Sequence, residues 1–400
     1  MLKNYFKITF RNLWRNKGYS FINIFGLAVG LASCIIILLY VSHELSYDEH
    51  YENSDRIYRV ASKVDFSGNY MQFASAPAPM GPALMEDYPE VEAMVRFRPY
   101  GSALVRRGEE NFKEEDVVFA DASLFDVFSI PVVHGDPNTA LTEPFTIVIS
   151  ESMAEKYFGR SNAVGESLLL NDSNEYEVTA VYQDMPAASH FHFNFIRSMA
   201  TLDEADNDVW VSHNFRTYIL LKEGTDPEKF EQNFESVIKT YVEPQIRQFM
   251  GVGLEGFREA GNSIDYDLQP LTDIHLYSNL TGEFEANGSI TYVYIFSGLA
   301  IFVLILACIN FMNLATARSV KRAKEVGVRK TLGSVRAQLT GQFFSESIVF
   351  TIIALLIALL LVELSLPFFS ELAGREIISG YMSSPELIGL IAIIVLSTGL

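Results

Sequence analysis

Cysteine is nearly absent from this chain of 400 residues: there are two, Cys34 and Cys308, and both fall inside long apolar runs. The stretch between those runs therefore has no disulfide and must be stabilised by burial, which a segment of about 250 residues can supply. Bases are also scarce there. Residues 43–290 hold 43 acids against 17 Lys or Arg, a net charge of −26 that argues against nucleic acid as a partner. Metal-binding and catalytic constellations are missing too. His43-Glu44 opens like HExxH, but the second ligand position is Tyr47. His190 and His192 are expected on one face of a strand, with Phe191, Phe193 and Phe195 on the other. With no cysteine or third ligand nearby, they read as surface histidines and not as a metal pair. No Ser/His/Asp triad or carboxylate pair stands out among the acids, so neither metal nor cofactor is expected.

What the chain does have is apolar residues gathered into blocks: Phe21–Val41, Val293–Met312, Ile348–Val362 and Leu387–Leu400. The first runs 21 residues without a charge and contains 13 Leu, Ile, Val or Phe, and about 20 residues suffice to cross a bilayer as a helix. The first 20 residues carry five bases and no acid, which marks the inner side of a membrane. Lys3, Lys7, Arg11 and Arg15 recur every four residues beside Leu2, Phe6, Phe10, Leu13 and Trp14, as in a helix lying among membrane lipid headgroups. Leu31-Ala32-Ser33-Cys34 imitates a lipoprotein cleavage site, but Ile35–Leu39 continues the apolar run, so a permanent anchor is expected. Gly26 and Gly30 form a GxxxG at which another helix can pack closely.

The expected organisation is a cytoplasmic interfacial helix at 1–18, a first span at 19–42 and an extracytoplasmic domain at 43–289. A second span at 290–315, a cytoplasmic loop at 316–344 and a third span at 345–366 follow. An outer loop at 367–386 then leads to the start of a fourth span at 387–400, interrupted by residue 400. Glu363, four residues before Pro367, is expected near the outer end of the third span, within reach of water. The fold class is thus an α-helical membrane protein with a large mixed α/β domain inserted between the first two spans. Within that domain, alternation predicts strands at Arg56–Phe66, Phe145–Ser150 and Glu175–Tyr182. Helical patterns cover Pro79–Tyr88, Glu151–Phe158 (ended by Gly159) and Pro227–Tyr241.

Between the second and third apolar blocks, Asn313–Ser347 carries Arg318, Lys321, Arg322, Lys324, Arg329, Lys330 and Arg336 against acids that include Glu325 at its centre. Gly333 suits a left-handed helix end and Ser334 the cap of a following helix, so two short helices on the inner membrane surface are expected. Within it, ARSVKRAKEVGVRKTLGS resembles the cytoplasmic signature of MacB/FtsX-type ABC transporter permeases. The opening KITFRNLWRNKGYSFINIFGLAVGLA, with ALTEPFTIVISESMAEKYFG, VTAVYQDMPAASHFHFNF and LQPLTDIHLYSN, extends the resemblance over nearly the whole chain.

The resemblance implies a permease subunit acting by mechanotransmission, with peptides, lipids, lipoproteins or drugs as substrate classes. Its partners would be a dimeric cytoplasmic ABC ATPase and a second permease half or copy. Arg318, Arg322, Glu325, Arg329, Lys330, Gly333 and Arg336 become candidates for coupling to that ATPase. The chain is not expected to hydrolyse ATP: Gly327–Ser334 (GVRKTLGS) has the glycines of a phosphate loop but no lysine before its serine. Two other readings remain: an FtsX-like adaptor that switches a cell-wall hydrolase, and a sensor with an outer ligand-binding domain. The third apolar block counts against the sensor.

Overall fold

The computed structural model describes residues 11, 14, 17–108, 110–331, 336–373 and 389; for 315, 318–326, 329–330, 336–339, 342–343 and 372–373 it describes the backbone alone. Two compact units result, one formed by the long apolar helices and the other by Ser46–Ser289. Most of the expected N-terminal helix, nearly all of 387–400 and the outer loop beyond 373 lie outside the described residues.

Among the described residues, three helices are long and apolar enough to cross a membrane: Lys17–Leu45, Ile290–Leu314 and Phe344–Glu371. The first packs on the other two. Its Leu27, Leu31 and Ile35 meet Ala300, Ala307 and Phe311 of the second and Ala354, Ala358 and Val362 of the third. The four-residue interval of 350, 354, 358, 362 and 366 keeps one seam of the third helix against its neighbours. Tyr40 meets Phe296 edge-on at 5.2 Å and Phe369 at 6.3 Å, touching both partner helices. The outward faces expose Phe21, Phe25, Ile305, Leu356, Leu360 and Leu364, a surface suited to lipid and costly in water.

Small residues set the closest approach. A Cβ on Gly30 would lie 2.5 Å from the Cβ of Ala307, and one on Gly26 would lie 3.0 Å from Asn310 Nδ2. The first of these is impossible without moving a helix.

The long helices differ from the expected boundaries in two places. The second apolar helix does not end near 315; it runs unbroken from Ile290 to Thr331, 42 residues that take in most of the basic stretch. Ala315, Ala317, Ala323 and the Lys, Arg and Glu around them are strong helix formers, which together outweigh the roughly 1 kcal/mol cost of Gly327 inside the helix. The helix of the third span begins at Arg336 and passes through Pro367 to Ala373. Pro367 removes one hydrogen bond, the one its N–H would donate to the Glu363 carbonyl, and this helix tolerates the loss. Glu363 is exposed but sits well inside the helix and not near its end.

In the Ser46–Ser289 unit, eleven strands among the described residues form one mixed sheet. In chain order these are β1 (Ile57–Phe66), β2 (Asn69–Phe73), β3 (Val91–Arg107), β4 (Glu110–Ala120), β5 (Val132–Gly135), β6 (Thr146–Ser150), β7 (Ser167–Leu170), β8 (Asn174–Tyr182), β9 (Phe195–Ser198), β10 (Arg216–Leu221) and β11 (Ser263–Pro270). Their order across the sheet is β11-β1-β10-β3-β4-β9-β6-β8-β5, with β2 on β1 and β7 joining β3 and β8. The β4–β9 and β6–β8 pairs are parallel. The long β3–β4 hairpin lies between two lobes. One buries Phe230, Phe234, Val237 and Ile246 against β1, β10 and β11; the other buries Ala154 and Tyr157 of the helix Glu151–Phe158 against β6 and β8.

That helix ends as predicted, with Gly159 left-handed at φ +65°. The expected single helix over 227–241 is instead broken into Pro227–Glu231, Phe234–Val237, a wide π-turn at Ile238–Val242 and Glu243–Met250. Pro244 accounts for the π-turn. It has no N–H for the Thr240 carbonyl, and the Glu243 N–H reaches back five residues to Ile238.

Two outcomes test this arrangement. A fragment comprising residues 46–289 is expected to unfold in one cooperative urea transition without metal or reductant; separate transitions for its lobes would contradict a single sheet-centred unit. Gly30→Ala is expected to destabilise the detergent-solubilised protein by about 1–3 kcal/mol through overpacking. Ala307→Gly should restore at least half of that loss, and an additive double variant would show that the two helices do not meet there.

Candidate functional site

The basic stretch lies on a helix whose backbone is continuous with the second apolar span. At about 100° per residue, positions 318, 322, 325 and 329 fall within an arc of about 60°, so three arginines and one glutamate share a stripe. Lys330 stands off that stripe on the same helix, and Arg336 opens the next one. Gly333 lies outside the described residues. Gly327, Val328, Thr331, Thr340, Gly341 and Phe344 are exposed, Val328 at 54% and Phe344 at 46%. In place of two short helices, the structure presents this region as the extended ends of two long ones.

A second constellation was not foreseen. Arg59 on β1 faces Tyr218 on β10 and Gln269 on β11 in register, so the three side chains share one face of the sheet. The Arg59 side chain is completely buried and forms an ion pair with Glu283. Its Nη2 donates to Glu283 Oε1 at 2.8 Å, Gln269 Oε1 at 2.6 Å and Ser278 Oγ at 3.0 Å. Burial alone would lower the arginine's pKa, but Glu283 outweighs it and the net direction is upward. For Glu283, burial pushes upward, while the hydrogen bond and charge of Arg59 hold its carboxyl below the usual range.

The chain of contacts continues inward. Tyr218 Oη lies 2.8 Å from His190 Nε2, and His190 Nδ1 lies 2.9 Å from Asp48 Oδ1. Asp48 also accepts from the His190 backbone N–H at 3.1 Å, and Tyr51 Oη lies 3.1 Å from Ser189 Oγ. Asp48 is fully buried in a left-handed conformation, φ +63°, which aspartate tolerates better than most residues.

The expectation for the histidines is corrected here. Residues 190–193 form no strand, and His190 is a core residue only 4% exposed. Its partners supply the hydrogen bonds that burial demands. His192 is the accessible one. It contacts Glu285 Oε1 at 2.8 Å and the Pro186 carbonyl at 2.9 Å. Two acceptors call for a donor on each ring nitrogen; burial opposes the charge, but Glu285 prevails and raises the pKa.

Asp48 lies three residues beyond the helix ending at Leu45, and Glu283 and Glu285 lie a few residues before the helix starting at Ile290. Both junctions of the α/β unit are therefore tied into one buried polar cluster. The sequence carried a faint signal, an arginine in the same phase as Ile57 and Ala61. Because β1 is buried on both faces, its phase did not distinguish inside from outside.

The fold defines a class first: a helical membrane protein with a mixed α/β extracytoplasmic domain. Family models then match twice, the MacB-like periplasmic core domain over residues 20–237 and the FtsX-like permease C-terminal domain over 297–400. The chain belongs to the MacB/FtsX-type ABC transporter permeases. It is 24% identical over 368 residues to the pyoverdine export ATP-binding/permease protein PvdT of Pseudomonas syringae pv. syringae (strain B728a), covering 87% of this chain and 49% of that protein. The chain thus spans about half the length of this curated relative. Among solved structures, the periplasmic region of MacB from Actinobacillus actinomycetemcomitans matches with TM-score 0.38 and 11% identity, over 55% of this chain and 91% of that one. The extracellular domain of the ABC-type transporter YknZ from Gram-positive bacteria matches with TM-score 0.33 and 14% identity, over 52% and 99%.

The buried pair makes a testable demand. Glu283→Ala leaves Arg59 charged and uncompensated, at an expected cost of about 3–5 kcal/mol in urea unfolding, whereas Arg59→Met with Glu283→Leu should recover most of it. Because the folded pKa of Glu283 is depressed, its contribution is full above the ordinary glutamate value of 4.5 and lost as pH falls through the folded value. A gap between wild type and Glu283→Ala that does not shrink on acidification below pH 4.5 would contradict the pairing.

Proposed function

We propose that this chain is the permease of an ABC exporter that works by mechanotransmission in the bacterial cytoplasmic membrane. Residues 1–18 and 316–344 face the cytosol and 43–289 lie outside. The observation that carries the reading is the unbroken helix Ile290–Thr331, with an apolar half and a basic half on one rod. A helix rises about 1.5 Å per residue, so 42 residues extend about 63 Å, long enough to cross a bilayer and protrude. A displacement imposed on the basic end is delivered to Ile290, where the chain enters the α/β unit. There Glu283 is held by the buried Arg59 and Glu285 by the half-exposed His192, so the motion reaches the sheet and is not lost in a slack linker.

In this account the ATP-driven motor is a dimeric ABC ATPase on a separate chain, paired with a second permease half or copy. The stripe formed by Arg318, Arg322, Glu325 and Arg329 docks into the motor, with arginine forks meeting acidic partners. Lys330 and Arg336 add positive charge, and Gly333 is the remaining candidate for coupling. The described ends of the apolar spans suit a rod driven from outside the membrane better than an ion path, since the first span and the apolar half of the second contain no charge. The export named for the Pseudomonas relative supports outward handling of a peptide, lipid, lipoprotein or drug-like substrate.

Glu325→Lys, Arg329→Glu and Gly333→Val are expected to insert normally yet lose at least about tenfold in stimulation of the partner ATPase. Truncating one member of a buried interfacial charge pair costs about 2–5 kcal/mol, and a β-branched side chain is strained at positive φ. Reconstituted permease and ATPase, assayed with co-purification, provide the measurement. Normal binding and stimulation in all three variants would reduce the stretch to a topological anchor.

A further inference from the structure

Arg197 on β9 is a buried arginine without a counter-ion. It is 3% exposed, and no acidic oxygen among the described residues comes within 4.0 Å of its guanidinium. The register places it directly beside Phe119 of β4 and Ile147 of β6. Phe119 covers one side, with the guanidinium carbon 3.8 Å from its ring centre; Tyr100 lies at 4.2 Å and Tyr176 at 5.6 Å. These rings attract a cation through their faces, and Tyr176 also hydrogen-bonds the guanidinium through its hydroxyl. Nε and Nη2 are both buried without a hydrogen-bond partner. They are the two nitrogens whose N–H groups point the same way along one edge of the guanidinium, the fork that receives both oxygens of a carboxylate.

An unpaired buried charge is expensive, and unsatisfied polar groups in a native fold call for an explanation. Burial lowers the pKa of this arginine, with Tyr176 and Tyr100 offsetting the effect in part. The surroundings suggest how a ligand would enter. Tyr100 is 51% exposed above the guanidinium. Phe145, 46% exposed and held at φ +58°, meets Tyr176 edge-on at 5.8 Å. A phenylalanine at positive φ is uncommon and strained, and its ring adds apolar surface beside the cage. Thus the unpartnered edge of a buried guanidinium lies beside the half-exposed rings of Tyr100 and Phe145.

We propose that Arg197 is the anchor of a ligand site in the α/β unit, specific for a carboxylate attached to a flat apolar body. The carboxylate occupies the Nε/Nη2 fork, and the apolar body lies against Tyr100 and Phe145 once Tyr100 turns outward. No bond is made or broken. The site stands independently of the coupling account, because binding to the isolated permease needs no ATPase.

The test uses the full chain in detergent and follows the thermal unfolding of its α/β unit at constant ionic strength set with sodium chloride. Benzoate is titrated against its neutral counterpart benzamide, and phenylalanine-terminated dipeptides are compared with a free or an amidated C-terminus. The expected result is a saturable rise of about 2–4 °C with benzoate or the free dipeptide, and none with benzamide or the amidated one. Whichever carboxylate is the tighter binder identifies the source as a small acid or a peptide end. Arg197→Met should abolish the rise while the protein stays folded. Tyr100→Ala, at a half-exposed position that keeps the fold whatever the arginine variant does, should weaken the apparent affinity about tenfold. Absence of a saturable carboxylate-specific shift in wild type, or an unchanged shift in Tyr100→Ala or in folded Arg197→Met, overturns the proposal.

Discussion

The pair between the fully buried Arg59 and the largely buried Glu283 is the contact on which the rest of the α/β unit's use depends. Two charges in the interior repay their desolvation only when their geometry and surrounding hydrogen bonds are good, and here Gln269 and Ser278 complete the shell. The pair adds little net stability compared with a well-packed apolar pair. What it does is locate one chain segment. Glu283 belongs to the strip that leaves the sheet for the second apolar helix, and Arg59 sits in the central strands. His190 and Tyr218 extend the same cluster to Asp48, just beyond the first apolar helix.

A domain that receives force through two peptide connections needs both to be stiff. A slack linker of several residues absorbs a displacement of a few ångströms as a change in its own dihedral angles. Polar anchoring close to both junctions removes that slack. On the helix side, stiffness comes from 42 residues in one unbroken hydrogen-bonded ladder and from a close contact at Gly30 and Ala307 that admits no extra methyl group. The two devices differ chemically, one electrostatic and one steric, yet each limits relative movement at one stage of the path.

Much of the fold was legible because local rules and burial agreed. Gly159 ended its helix in the left-handed conformation, and the alternation at 175–182 is β8. The first three apolar blocks became long helices because each carries enough apolar surface on every side. The reading failed where one residue outweighed the period. Pro244 opened a π-turn at the end of an amphipathic pattern, whereas the third apolar helix runs on through Pro367 beyond its expected end. His190 was misplaced because its partners, Asp48 and Tyr218, are 142 and 28 residues away. Contacts of that kind leave no periodic trace in the sequence. Arg197 escaped notice for the same reason, as its cage draws on β3, β4 and β8. The basic stretch, by contrast, was conspicuous as charge, but charge gave no indication that it continues an apolar helix.

Continuity of that helix is the central claim, and it can be tested where the apolar half gives way to the basic half. Thr316 and Ala317 are exposed and helical just beyond the apolar segment that ends at Leu314. Replacing both with glycine lowers local helix propensity by roughly 1 kcal/mol at Ala317 and a few tenths at Thr316 without touching the arginine stripe. The measurement is export by the reconstituted permease–ATPase complex per ATP hydrolysed. The account predicts that the motor still docks and hydrolyses ATP while export per ATP falls severalfold. Unchanged export per ATP across a flexible joint would contradict transmission along this helix.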